Sequence, residues 1–79
     1  MAKYTVLFFG KCKETTKTTG LECESDSESV YELKSEIINQ FPELQPLIHA
    51  IAVNQEIVQE NVPLKDGDEI AFMPAFSGG

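Results

Sequence analysis

The sequence predicts an α+β fold in which one main helix packs on one mixed sheet. Three observations carry this. Val30, Leu33, Ile37 and Phe41 recur at spacings of three and four, which places them on one apolar stripe of a helix. The strongest apolar strand-like runs stand at opposite ends of the chain, Tyr4–Phe9 and Glu69–Met73, and suit central positions in a sheet. The chain has 79 residues, 42% of them hydrophobic, which is enough for a single small core and too apolar for disorder.

The elements follow in order. Tyr4-Thr5-Val6-Leu7-Phe8-Phe9 is apolar on both parities, with Val6 and Phe8 on one side and Leu7 and Phe9 on the other. A strand covered on one face only alternates with polar residues, so this one asks for cover on both. Lys11–Gly20 is polar and reads as a turn or flexible loop. Leu21-Glu22-Cys23-Glu24 alternates and reads as an edge strand paired with the first. Ser29 with Glu32 fits a capping box at the start of the helix, with Ser27 as an alternative cap. Pro42 ends the helix, because a proline pushes the residue before it out of the helical region. Pro42–Ala50 is a packed connector or a short helical turn. Ile51–Val53 and Glu56–Val58 flank Asn54-Gln55 as a short hairpin, although Asn-Gln is a weaker signal than Asn-Gly. Asp66-Gly67 marks a tight turn, Glu69–Met73 is the last strand, and Pro74 stops its ladder. With the first and last strands parallel neighbours in the sheet centre, this order fits a β-grasp: residues 1–74 as the domain, 75–79 as a flexible tail.

Composition excludes several function classes. The net charge of −7 argues against nucleic acid and anionic membranes as partners, and favours a basic protein. No apolar run approaches the roughly 18 residues of a membrane span. The apolar run near the start is too short for a signal peptide core, and no small-residue cleavage site follows. The expected location is cytoplasmic. Cys12 and Cys23, reduced there, do not have metal-motif spacing and, with His49 as the only histidine, fall short of a zinc ligand set. Both read as small, partly buried hydrophobes, and His49 as a surface or structural histidine. No Ser-His-Asp set, phosphate loop or HExxH stands in the sequence, so a catalyst acting alone is not expected.

The end of the chain carries the chemistry. Ser77-Gly78-Gly79 offers no packing, but two glycines have no Cβ and wide φ freedom, which suits a peptide threading a narrow tunnel. The Gly79 carboxyl would then be the reacting group. It is a carboxylate at neutral pH, a poor electrophile that needs activation, commonly by adenylation.

The stretches "VLFFGKCKETT", "AVNQEIV" and "PLKDGDEIAFMPAFSGG", with the helix between them, resemble the small-subunit family of molybdopterin synthase, sulfur carriers of ubiquitin-like β-grasp fold. The resemblance implies that an adenylating enzyme similar to ubiquitin activators uses ATP to activate Gly79. A persulfide sulfur donor then makes a thiocarboxylate. The loaded tail, with Ser77 and Gly78 threading, enters the large synthase subunit of a heterotetramer. There it passes sulfur to cyclic pyranopterin phosphate, and two rounds build the dithiolene. The carrier itself would bind no cofactor and no metal, and the catalytic lysines would be the partner's. On this reading Leu7, Phe9, Ile57 and Met73 form a partner-binding patch on the sheet face away from the helix, and Phe76 is an anchor in a partner pocket. The sequence departs from the family in reading Lys13-Glu14 where an arginine-glutamate pair is frequent, and in carrying Cys12 beside it. The rival readings are a thiamine-pathway sulfur carrier, a ubiquitin-like modifier conjugated through Gly79, and an interaction module with incidental glycines.

Overall fold

The structure is a computed structural model and describes residues 1–75. The elements are β1 (Ala2–Phe8), α1 (Lys11–Thr16), β2 (Gly20–Ser25), α2 (Val30–Gln40), a 3-10 turn (Pro42–Leu44), β3 (Ile48–Val53), β4 (Glu56–Val58) and β5 (Glu69–Pro74). They build one five-stranded sheet in the order β2-β1-β5-β3-β4. β1 and β5 run parallel and every other pair is antiparallel. This is the β-grasp arrangement that the sequence predicts, with the two apolar end strands paired inside the sheet.

One face of the sheet carries the core. Tyr4, Val6 and Phe8 of β1, Ile70 and Phe72 of β5 and Ile51 of β3 are buried there with Val30, Leu33 and Ile37 of α2. Phe8 stacks on Phe72 at 6.1 Å between ring centroids and meets the edge of Phe41 at 5.9 Å. The fourth stripe residue, Phe41, is half-buried just past the helix, so it reaches the core as a C-terminal flank.

The cap of α2 has the expected serine and an altered reciprocal bond. Ser29 Oγ accepts from the Glu32 amide at 3.4 Å, but Glu32 Oε1 accepts from the Glu28 amide at 2.7 Å, one residue ahead of the box. Ser27 is not the cap. Its hydroxyl bonds the Glu36 carboxylate at 3.1 Å, which also takes the Ser25 hydroxyl and ties edge strand β2 to the helix.

Several boundaries differ from expectation: β1 runs Ala2–Phe8 and leaves Phe9 just past its end, and β2 is one residue longer at each end, Gly20–Ser25. Lys11–Thr16 is a helix, where the sequence reads as a loop. The chain turns into it through Gly10 at φ 54°, and Cys12 fills a fully buried position below it. β3 begins at Ile48 inside the expected connector, because Ile48 pairs with Pro74 across a bulge. Pro74 accordingly belongs to β5, as its final residue. The hairpin turn does form on Asn-Gln, with Asn54 at φ 50° and Gln55 at φ 72°. Asn54 offsets that left-handed backbone by accepting from the Glu69 amide and donating to Asp68 Oδ1, each at 3.0 Å. Asp66-Gly67 turns with Gly67 at φ 89°.

Candidate functional site

The strand registers define what the second sheet face presents. Leu7 of β1 pairs with Gly20 of β2 and Ala71 of β5. Ala71 pairs with Ala52 of β3, and Ala52 with Ile57 of β4. Directly paired residues point to one side, so Gly20, Leu7, Ala71, Ala52 and Ile57 form a continuous apolar row across all five strands. Ala50 and Met73 make the next pair along the same face. Among the described residues no helix covers this side. Ile57 is 63% exposed and Phe9 48%. The row is shallow in the middle, where the alanines lie, and raised at its flanks by Leu7 and Ile57.

The lack of a side chain at Gly20 is a steric requirement. A Cβ there would lie 2.7 Å from the Val6 carbonyl oxygen and 2.8 Å from a Leu7 methyl. Leu7 therefore lies over Gly20 and widens the apolar surface. Toward the opposite end the face turns polar, with Lys3 paired with Glu24 and Thr5 with Glu22 and Glu69.

The apolar end is also where β5 leaves the sheet. Phe9, Gly10, Pro46, Leu47, Met73, Pro74 and Ala75 line a groove of about 810 Å³ there, with Lys11 and Glu14 at its rim. Leu7, Phe9, Ile57 and Met73 are thus brought to one side of the molecule, and two of them border the exit of the tail. Phe76, Ser77, Gly78 and Gly79 lie outside the described residues. The sequence reading missed Gly20, Ala50, Ala52 and Ala71 in the row. Its available signal was the alternation in Ala50-Ile51-Ala52-Val53, which keeps one parity small.

The titrating groups elsewhere are placed as structural ones. Burial pushes the Cys12 thiol up from its ordinary value. Burial does the same at Cys23, and the neighbouring Glu36 carboxylate, 3.7 Å from its sulfur, adds to the rise. Neither thiol borders the apolar row or the groove at the end of β5 in the way Phe9 and Met73 do. His49 is exposed on β3. Among the described residues, no three His, Cys, Asp or Glu side chains cluster as metal ligands, and no helix is long and apolar enough to cross a membrane.

The model of the ThiS family matches residues 6–79. The chain belongs to the ThiS family. Within that membership, it is 35% identical over 78 residues to the molybdopterin synthase sulfur carrier subunit of Escherichia coli, a match covering 94% of this chain and 96% of the relative. A solved complex of subunits 1 and 2 of molybdopterin-converting factor from Helicobacter pylori contains a similar chain at 30% identity and a TM-score of 0.70, covering 98% of this chain and 99% of that one. SAMP1 from Haloferax volcanii shares the fold at a TM-score of 0.84 with 18% identity, over 99% of this chain and all of that one (100%). The ubiquitin-like β-grasp of this ThiS-family chain is common to these relatives, and the small-subunit resemblance of the sequence extends along nearly its whole length.

Proposed function

We propose that this chain is the sulfur-carrier subunit of a molybdopterin synthase. The observation that carries the reading is the near full-length match to the E. coli carrier subunit. The geometry supports it, because central strand β5 delivers the tail beside an uncovered apolar face. A large subunit seated on Leu7, Phe9, Ile57 and Met73 would meet the tail where it leaves the sheet. Phe76 would anchor in that partner, and Ser77, Gly78 and Gly79 would extend into its active site.

The chemistry takes place on Gly79. Its carboxylate attacks the α-phosphate of ATP on an adenylating enzyme and releases pyrophosphate. The resulting acyl-adenylate turns a poor electrophile into a good one. The terminal sulfur of a persulfide donor displaces AMP, and a thiol then cleaves the S–S bond to leave a thiocarboxylate. In the large subunit that sulfur passes to cyclic pyranopterin phosphate. The carrier's contribution is presentation: a rigid sheet, a docking face and a tail end without Cβ atoms. It holds no cofactor or metal of its own, and the work is done in the cytoplasm.

An intact-mass measurement tests the reading. The chain is incubated with its activating enzyme, ATP and a sulfur source, beside a Gly79 deletion. The expected result is a shift equal to one oxygen replaced by sulfur, absent in the deletion. No shift, or high-mass conjugates in its place, would overturn it.

A further inference from the structure

The groove at the end of β5 is not accounted for by the apolar row alone. It is walled by Phe9, Pro46, Leu47, Met73 and Pro74. The charges at its rim are matched, with Lys11 Nζ 3.8 Å from Glu14 Oε1, so the lining favours an apolar occupant over an ion. One wall is held in place by a close approach: a Cβ on Gly10, at φ 54°, would lie 2.9 Å from Pro74 Cγ. Ala75, the last described residue, lies in the lining itself.

Four residues follow Ala75, numbered 76–79, and only Phe76 among them is a large apolar side chain. Consecutive Cα atoms are about 3.8 Å apart, so a ring on the residue after Ala75 is within reach of a groove that Ala75 itself lines. We infer that Phe76 seats in this groove in the free protein, as a resting position of the tail. The ring covers Leu47 and the groove-facing sides of Phe9 and Met73, surface that is otherwise exposed apolar area. Phe9 and Met73 belong both to this groove and to the proposed docking face. A partner that draws Phe76 out thus gains the two residues that the ring had covered, and seating and docking compete for them. The seating rests on the groove and the sequence. Its consequence for tail release rests on the sulfur-carrier reading.

The test uses the full chain alone, so its outcome is independent of the loading assay. The sequence has no tryptophan, and Phe76→Trp places a single reporter at the position. The expected result is acrylamide quenching several-fold weaker in the folded protein than in denaturant. In Phe76→Trp combined with Pro46→Asp, quenching rises to the denatured level while circular dichroism is unchanged. In the unsubstituted chain, nuclear Overhauser contacts join the Phe76 ring to the Leu47 methyls. Full quenching in the single variant together with no such contacts overturns the seating. So does shielding that Pro46→Asp leaves intact, which puts the indole elsewhere, and shielding that appears only as concentration rises, which gives the groove to a second copy.

Discussion

Individual side chains separate the groups that hold this fold from those free to do chemistry. Both thiols are raised, chiefly by burial, and stay protonated at neutral pH, so they are poor nucleophiles toward an activated tail. In the folded chain they keep protons that the unfolded chain releases above about pH 8.5. The unfolded state then binds fewer protons, and stability falls as pH rises. The expected outcome is a urea midpoint that holds up to about pH 8 and declines above it. The decline becomes shallower in Cys23→Ala. Thiol labelling of the native chain is slow, and slower at the fully buried Cys12 than at half-buried Cys23. Tyr4 makes a second case. Its hydroxyl donates to the Ser27 carbonyl at 2.6 Å from a buried ring, joining β1 to the segment that enters α2. Tyr4→Phe removes one donor from a partly buried acceptor and should lower stability by about 1 kcal/mol, read from the denaturant midpoint at unchanged slope.

Secondary elements were legible where a period had room to repeat. The stripe from Val30 to Ile37 and the double-sided apolar run of β1 each span enough residues to point to one structure. α1 does not: its six residues include Thr15 and Thr16, and one buried position, Cys12, gives no period. What decides it lies outside its own sequence, in Gly10 and in the Pro74 ring packed on that glycine. Gly10→Ala should therefore destabilise the end of β5 as well as α1, since φ 54° and the Pro74 contact both oppose a Cβ. Fast amide exchange confined to residues 9–16 and to β5 near Met73 is the expected signature. The early start of β3 was hidden for a similar reason, because Ile48 pairs with the far end of β5. On the second sheet face, Leu7 and Met73 were readable from parity in the two long strands, whereas the alanine floor needed the β3–β5 register. The helix start was readable, and its test is ordinary. Ser29→Ala should cost about 1 kcal/mol and lower the melting temperature by roughly 4–8 °C.

At the scale of the molecule, the described residues hold one long helix for a sheet with two apolar faces, and the proposed docking rests on that imbalance. The core side is filled by α2 and its flanks, and on the proposed sulfur-carrier reading the second face serves recognition more than folding. Phe9 and Ile57 are exposed large apolar side chains on that side, and their replacement separates folding from binding. Phe9→Asp or Ile57→Asp should leave the unfolding free energy within about 0.5 kcal/mol of the parent, as for other surface changes. Binding to a large subunit should weaken by about 2 kcal/mol or more, the loss typical of a central apolar anchor, or roughly 30-fold in Kd. Calorimetric titration beside a denaturant melt reads both. The polar end of the face should act differently. Glu22, Glu24 and Glu69 sit on its strands, in a chain of net charge −7, and fields of that sign steer basic partners during approach. Glu22→Lys with Glu24→Lys should slow association and flatten its salt dependence while leaving dissociation nearly unchanged. If the carboxylates were instead buried contacts of the complex, dissociation would speed up, and the division of the face into an apolar anchor and an acidic guide would fail.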